Sequence, residues 1–362
     1  MCVSGSIPTR RGRWKKHIDN PENGAQPLFS IWLQFVLCVV FIGVAGYRLS
    51  RYGDVIAEKT GLGGTWIGMI LLATVTSLPE LATGISAVTV ANTPNIALGD
   101  ALGSCVFNLF IIVILDFLYR EESVYTRASQ GHILAAGFGI IMIGFVGFNL
   151  LLGEKAASLS LGHVGFYTPV ILLLYGVAMR TVFRYEQQQM AACTERVALH
   201  YPDITLNQAI FHYTLAALIV VGAGIWLPFI GTEMAGVMGW NNTFVGTLFI
   251  AFATSVPELA VTLAALRIGA LDMAIGNLLG SNLFDVLIIA VDDMFFLKGP
   301  ILSHVSQHHA VSALSAVMMT GVAIVGLLYR PATRILRTVG WASLLLFSIY
   351  LLNTYVLYLY GE

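Results

Sequence analysis

Two apolar stretches of this chain carry the same run of polar, glycine and proline residues, and hydropathy alone would not place them so. Thr65-Trp-Ile-Gly68, Ala73 and Thr76-Ser-Leu-Pro-Glu80-Leu-Ala82 align with Thr243-Phe-Val-Gly246, Ala251 and Thr254-Ser-Val-Pro-Glu258-Leu-Ala260, 178 positions later. After one inserted residue, Ala97-Leu-Gly-Asp-Ala-Leu-Gly-Ser104-Cys-Val-Phe-Asn108 aligns with Ala274-Ile-Gly-Asn-Leu-Leu-Gly-Ser281-Asn-Leu-Phe-Asp285. A weaker match runs backwards through Gly53/Gly231 and Gly61/Gly239, which makes the repeating unit larger than the motif.

The surroundings of the motif set the fold class. Apolar residues make up 57% of the chain and charged residues 11%, against about 25% in soluble proteins. Most of the surface must therefore face something other than water. Stretches of about 20 apolar residues cross the hydrocarbon core as helices. Ten are read, near 28–48, 65–90, 95–119, 131–152, 161–180, 209–231, 243–266, 272–297, 309–329 and 338–360. The expectation is an all-α polytopic membrane protein of about ten transmembrane helices. Five spans per unit is an odd number, so the two copies would enter the membrane from opposite sides as inverted repeats, an arrangement that puts substrate near the midplane. The organisation read is a basic tail over 1–27, a first five-span repeat over 28–182, a linker over 183–208 and a second repeat over 209–362.

Loop charge predicts orientation. Loops after odd-numbered spans hold Arg48, Arg51, Lys59, Arg120, Arg127, Arg180, Arg184, Arg196, Arg267, Arg330, Arg334 and Arg337; loops after even-numbered spans hold only Lys155 and Lys298. The expectation is a multi-pass protein of an inner or plasma membrane, with the middle linker cytoplasmic and both termini external. Arg10, Arg11, Arg13, Lys15 and Lys16 in the tail oppose that assignment. The first apolar stretch is long and has no evident small-residue cleavage site, so it is read as a retained span. No regulatory domain is expected within the chain. A formal net charge of −1 argues against a nucleic-acid partner. Cys2, Cys38, Cys105 and Cys193 show no metal-finger spacing, and no cofactor is expected.

The chemistry lies in the acids. Glu80, Glu258 and Asp285 fall mid-span, 15, 15 and 13 residues into their stretches, or about 20 Å at 1.5 Å per residue. An ionised carboxylate at that depth costs several kcal/mol unless solvated or paired. No basic side chain shares the depth, so the partner is a mobile cation or a proton. Thr76 and Glu80, and Thr254 and Glu258, are spaced i,i+4, which on an unbroken helix puts each hydroxyl on its carboxylate's face. Ser104 with Asn108, and Ser281 with Asp285, repeat that spacing. Pro79 and Pro257 release the carbonyls of Val75 and Ala253. Such a set offers hard oxygen ligands suited to Na+ or to Ca2+, which takes 6–8 oxygens in a flexible shell. The competing reading, protonated acids that only tie the bundle together, is disfavoured by their recurrence at matching positions. For the hydroxyls, bonding to their own helix backbone stays open.

At these residues the chain resembles the calcium/cation antiporter superfamily, whose two alpha repeats read roughly G-T-S-x-P-E on one helix and G-N-x-x-G-S-N on the next. The resemblance implies that Glu80 and Glu258 are central Ca2+ ligands, with the carbonyls of Thr76 and Thr254 completing the shell. It implies flanking Na+ sites formed with Ser77, Ser255, Ser104, Ser281 and the carbonyls of Ala73 and Ala251, while Asn108 and Asp285 line the centre. The partners implied are inorganic cations and the lipid bilayer, and the implied activity is exchange of Ca2+ for Na+, or for H+ or K+. Val75 and Ala253 stand where the family has glycine, Cys105 where it has asparagine, and Asp100 where it has the amide matched by Asn277. A cation channel is the alternative from another class, disfavoured by the internal duplication. An intramembrane acid protease would need a catalytic aspartate pair.

Weaker signals remain. Asp116 and Asp293, at matching positions with Asp292 adjacent, read either as a cation-attracting vestibule or as helix-end residues. His308-His309 reads as an interfacial pair. The aromatic segment from Tyr350 to Tyr360 reads as lipid-facing, and Gly131, Gly137, Gly139 and Gly144 as helix-packing positions.

Overall fold

The structure is a computed structural model that describes residues 21–60, 74–119, 123–128, 131–153, 160–190, 203–267, 269–330, 334–335 and 339–360. In chain order the helices are α1 (Pro21–Thr60), α2 (Leu78–Thr89), α3 (Pro94–Leu118), α4 (Val124–Arg127), α5 (Gly131–Leu152), α6 (Tyr167–Met190), α7 (Leu206–Met238), α8 (Asn242–Val245), α9 (Ala251–Thr254), α10 (Val256–Arg267), α11 (Leu271–Phe295), α12 (His309–Tyr329) and α13 (Trp341–Tyr360). A π-helical segment, Gly246–Ile250, joins α8 to α9. Among the described residues seven helices are long and apolar enough to cross a membrane, and the pair Asn242–Thr254 and Val256–Arg267, bent by 44°, makes an eighth. The chain is an integral, multi-pass, mostly helical membrane protein. The tail through residue 20, the start of the expected second span at 65–73 and linker residues 191–202 lie outside the described residues.

The distribution of polarity is that of a bundle dissolved in lipid. Along α1, Phe29, Leu33, Val40, Phe41 and Val44 face outward and exposed, while Ile31, Phe35 and Ile42 pack inward. The central helices are α3 and α11. In each, 72% of the most apolar window is buried, against 28% in α1, and their buried faces carry Asp100, Ser104, Asn108, Asn277, Ser281 and Asp285. Lipid rewards apolar exteriors and leaves polar groups to find partners within the bundle.

Both motif helices break at a serine. Ser77 (φ −88°, ψ 15°) and Ser255 (φ −83°, ψ 7°) leave helical geometry, and a 12-residue helix restarts after each, with Pro79 and Pro257 in its first turn. Proline has no N–H to give the carbonyl four residues back, so the ladder lapses there. It resumes when the amides of Leu81 and Leu259 bond the carbonyls of Ser77 and Ser255 at 3.2 and 3.1 Å.

Several boundaries differ from the reading of the sequence. The expected fifth span, 161–180, begins later because Ser160–Leu161 and Val164–Gly165 pair as a small antiparallel hairpin around Gly162, which takes a left-handed φ of 68°. Its helix then runs on to Met190, through glutamate, glutamines and methionine, which are good helix formers. The last span starts at Trp341, after Arg334–Ile335 pairs with Val339–Gly340. The first and sixth spans extend to 40 and 33 residues as α1 and α7, which pack against each other. At 1.5 Å per residue, α7 is about 50 Å long and must tilt or protrude from a hydrocarbon core of about 30 Å.

One crossing sets how closely the two halves approach. At Gly103 on α3 an added Cβ would meet the Thr247 carbonyl oxygen at 2.5 Å, so glycine alone lets α3 lie against the π-helical segment. Gly103→Val is therefore expected to lower stability by about 2 kcal/mol or more through overpacking. Gly137→Ala, where an added Cβ meets nothing within 4 Å, is expected to hold or raise stability slightly. Thermal unfolding of the two variants in detergent checks the contrast; equal midpoints would contradict it.

Candidate functional site

The breaks place Glu80 and Glu258 in the first turns of α2 and α10, facing each other's half of the chain. The serines at the breaks then cross over. Ser77 Oγ donates to Glu258 Oε1 at 3.0 Å, and Ser255 Oγ donates to Glu80 Oε1 at 3.3 Å. Ser281 Oγ adds a second donor to Glu258 Oε1 at 3.4 Å and lies 3.4 Å from Thr76 Oγ1. The positive ends of two short helix dipoles thus point at the two carboxylates.

A second knot joins α3 to α11. Asn108 Nδ2 donates to Asn282 Oδ1 at 3.0 Å and to Asp285 Oδ2 at 3.4 Å. Asn282 Nδ2 donates to the Cys105 carbonyl at 3.2 Å, and the Cys105 thiol lies 3.8 Å from Asp285 Oδ2. The third is Thr254 Oγ1, which donates to Asp100 Oδ1 at 2.8 Å and also lies near its own backbone at Ile250 and Ala251. Glu258, Asp285 and Asp100 all lie within electrostatic range of Glu80.

Four carboxylates result, each with one oxygen partnered and one bare. Glu80 Oε2, Glu258 Oε2, Asp285 Oδ1 and Asp100 Oδ2 are buried and accept nothing, and all four residues are at most 1% exposed. Among the described residues no lysine, arginine or histidine bonds to any of them. Nor do three carboxylate, imidazole or thiol groups there converge into a compact chelating cluster. A cation held here needs the neutral oxygens as well: the serine and threonine hydroxyls, the Asn108 Oδ1, which is also bare, and backbone carbonyls.

The expected residues therefore come together with two corrections and one gap. The threonines do not pair with the glutamates four residues on, because the breaks at Ser77 and Ser255 interrupt the helical period. Thr76 turns to Ser281, and Thr254 to Asp100. Ser104 is buried beside this set, but its hydroxyl has no partner in it. The Ala251 carbonyl accepts from the Ser255 amide at 3.1 Å. Ala73 lies outside the described residues. Asp100 is the acid that the charge count over the sequence left out, because it reads as a replaced amide near a helix start. Its signal was simply a carboxylate six residues into an apolar helix.

Asp116 and Asp293 are latches. Asp116 accepts from the Val124 and Gly340 amides and the Ser123 and Ser343 hydroxyls, at 2.8–3.4 Å. Asp293 accepts from the Gly165 and Ile301 amides, the Tyr167 phenol and the Thr168 hydroxyl, at 2.6–2.7 Å. Each ties the end of a central helix to the hairpin and helix start of the other half: Asp116 to Gly340 and Ser343, and Asp293 to Gly165, Tyr167 and Thr168. His309 is fully buried, not interfacial, with Nε2 3.2 Å from Asn95 Oδ1.

Comparison with known proteins gives the family. The sodium/calcium exchanger protein family model matches residues 30–184 and 209–357. The chain belongs to the sodium/calcium exchanger family. This exchanger is 27% identical to inner membrane protein YrbG of Escherichia coli over 243 residues, covering 67% of the chain and 72% of the relative. It is 26% identical to the sodium/calcium exchanger MaX1 of Methanosarcina acetivorans over 296 residues, covering 73% and 83%. In fold it resembles the H+/Ca2+ exchanger CAX, with a TM-score of 0.65 at 14% identity over 90% of this chain and 81% of that one. It also resembles the exchanger NCX_Mj, with a TM-score of 0.56 at 21% identity over 90% and 98%.

The latches make a prediction distinct from ion binding. Asp293→Ala strips two backbone amides and two hydroxyls of a charged acceptor and is expected to cost about 3 kcal/mol in unfolding experiments. If Asp293 served a vestibule instead, the variant would keep its unfolding midpoint and lose only apparent cation affinity.

Proposed function

We propose that the protein is a secondary antiporter that exchanges Ca2+ for Na+ by alternating access, with Glu80 and Glu258 as the central Ca2+ ligands. The observation that carries this reading is the set of four buried carboxylates with one bare oxygen each and, among the described residues, no fixed countercharge. Burying such charge uncompensated costs several kcal/mol per group. A bound cation removes that cost, so loaded states can close and an empty one resists closing.

In this reading the backbone carbonyls of Thr76 and Thr254 complete the Ca2+ shell. Ser77, Ser255, Ser104, Ser281 and the Ala73 and Ala251 carbonyls serve flanking Na+ positions, and Asn108 and Asp285 line the centre. The frame is two inverted five-span repeats, ten spans in all. The reciprocal pairs Ser77–Glu258 and Ser255–Glu80 support it, as do the matched latches and the family match in two blocks. Loop contacts also sort by side. Lys298 Nζ donates to Asn92 Oδ1 at 2.6 Å, joining the loops after the second and eighth spans, and Arg330 reaches the Ala128 carbonyl at 3.5 Å, joining those after the third and ninth. The odd-loop side is cytoplasmic in this reading.

The moving parts are α1 and α7. Gly46 on α1 passes Pro257, and Gly224, at the matching position on α7, passes Ala82 and the Pro79 carbonyl. The two helices pack on each other and each covers the break of the opposite half. Sliding this pair would uncover one break or the other, and the small residues keep that contact smooth.

Proton coupling is the second reading, favoured by Asp100. Four negative charges exceed what one Ca2+ or three Na+ neutralise, so the cage would also carry protons. Uptake of 45Ca2+ into proteoliposomes under imposed Na+, K+ or pH gradients separates the readings, with a Na+ gradient expected to drive it. Glu80→Gln or Glu258→Gln should reduce that flux about a hundredfold, as loss of a charged ligand worth about 3 kcal/mol implies. Undiminished flux in either variant would refute the assignment.

A further inference from the structure

The two halves match in the Ser–Glu pairs and in the latches, but not between that centre and the helix ends on one side. Asp292 lies on α11 three residues before its end, about 5 Å along the axis, and Asp100 lies on α3 six residues from its start, about 9 Å. Those two helix ends share one side of the molecule. Lys298 bonds Asn92 there, and the Ser306 amide bonds Asn95 Oδ1 at 2.7 Å. Asp292 is 1% exposed, and its Oδ1 is buried with no hydrogen-bond partner. The whole carboxylate seats on α2 at Gly84, where an added Cβ would stand 2.5 Å from Oδ2 and 2.6 Å from Oδ1. Gly84 is one helical turn beyond Glu80 and on the same face. Asp100, whose Oδ2 is also bare, lies within electrostatic range of Asp292. From the rim inward the order is therefore Asp292, Asp100, Glu80.

At the matching positions of the other half stand Leu115 for Asp292, Asn277 for Asp100 and Thr262 for Gly84. That route has no acid at either position, and no glycine to seat one. The latches at Asp116 and Asp293 retain their carboxylates in both halves; the centre differs at Asn108 against Asp285 and Cys105 against Asn282, but only one side carries acids between the centre and its rim.

We propose that Asp292, together with Asp100 at the outer edge of the cage, forms an accessory cation site on one access route only, between the rim at Asn92 and Lys298 and the Glu80–Glu258 centre, and that it receives the divalent substrate cation before that centre does. The inference rests on the antiporter reading. Two bare carboxylate oxygens in a low-dielectric route attract a divalent cation that keeps part of its water, and hand it one helical turn onward to Glu80. A route lined with one sign of charge raises the local cation concentration by about tenfold or more. The side bearing Lys298 should therefore load at lower Ca2+ than the opposite side.

Flux of 45Ca2+ in vesicles of defined orientation tests this. Asp292→Asn keeps the shape of the side chain and is expected to raise the half-saturating Ca2+ about tenfold on the Lys298 side alone. A measurement on the unaltered protein stands beside it: inert choline chloride should narrow the difference between the two sides, since salt screens the route. Equal half-saturation on the two sides of the wild type, or an equal shift on both sides in Asp292→Asn, would overturn the accessory site. Glu258→Gln in the same vesicles separates the failures. Flux that survives Glu258→Gln refutes the central cage, whereas flux lost there together with a symmetric Asp292→Asn effect refutes the accessory site alone.

Discussion

Negative charge buried without a fixed partner is the constraint around which the rest of this exchanger is arranged. In lipid a carboxylate cannot borrow water, and the bundle supplies only half of what each acid needs. One oxygen of Glu80, Glu258, Asp285 and Asp100 takes a hydroxyl, amide or thiol, and the other takes nothing. Partial satisfaction of this kind is unstable in a static core, where an unpaired buried acceptor costs more than a made hydrogen bond returns. It is the condition a reversible cation site requires. A cage with every oxygen saturated would have no capacity for a metal, and a cage with basic residues would hold its countercharge permanently.

The helix breaks follow from that constraint. On continuous helices Glu80 and Glu258 would each share a face with a threonine of their own segment, and neither glutamate would be tied to the other half. The breaks at Ser77 and Ser255 redirect the hydroxyls, so each glutamate is held by the other half. Closing the cage and joining the halves thus become one event. The same breaks turn two helix N-termini toward the acids, which places partial positive charge near the cage without adding a cation that would compete with substrate.

Much of this was legible in the residues. The duplicated Thr-Ser-x-Pro-Glu motif marked where the helices distort, since Pro79 and Pro257 release the carbonyls of Val75 and Ala253, two residues before the breaks at Ser77 and Ser255. It also named the glutamates that the structure brings to one place. What escaped was whatever depends on geometry across the break. An i,i+4 rule holds only on an intact helix, so it paired Thr76 with Glu80 where the structure pairs it with Ser281. The hairpins at Ser160–Gly165 and Arg334–Gly340 escaped because each is two residues to a strand, too short for a period of two to show. Asp116 and Asp293 could not be told from a vestibule, since four well-placed donors come from segments as distant as Gly340, 224 positions away. Asp100 was visible as a carboxylate but was weighed only against the amide it replaces.

Near-symmetry also bears on how such a molecule could favour one direction of loading. Groups held in common by the halves, the Ser–Glu pairs and the aspartate latches, lie where inward-open and outward-open states must be equally stable frames. Some groups that differ lie in the centre, Asn108 against Asp285 and Cys105 against Asn282; others, Asp292 against Leu115, Asp100 against Asn277 and Gly84 against Thr262, lie toward one rim. Charge added inside the cage would change binding from both sides alike, because both routes end there. Charge added on one route changes only the approach from that side, and leaves the two closed states related as before. Divergence along a route is therefore a means by which a duplicated transporter can acquire a preferred side without disturbing the pairing that lets it close on either.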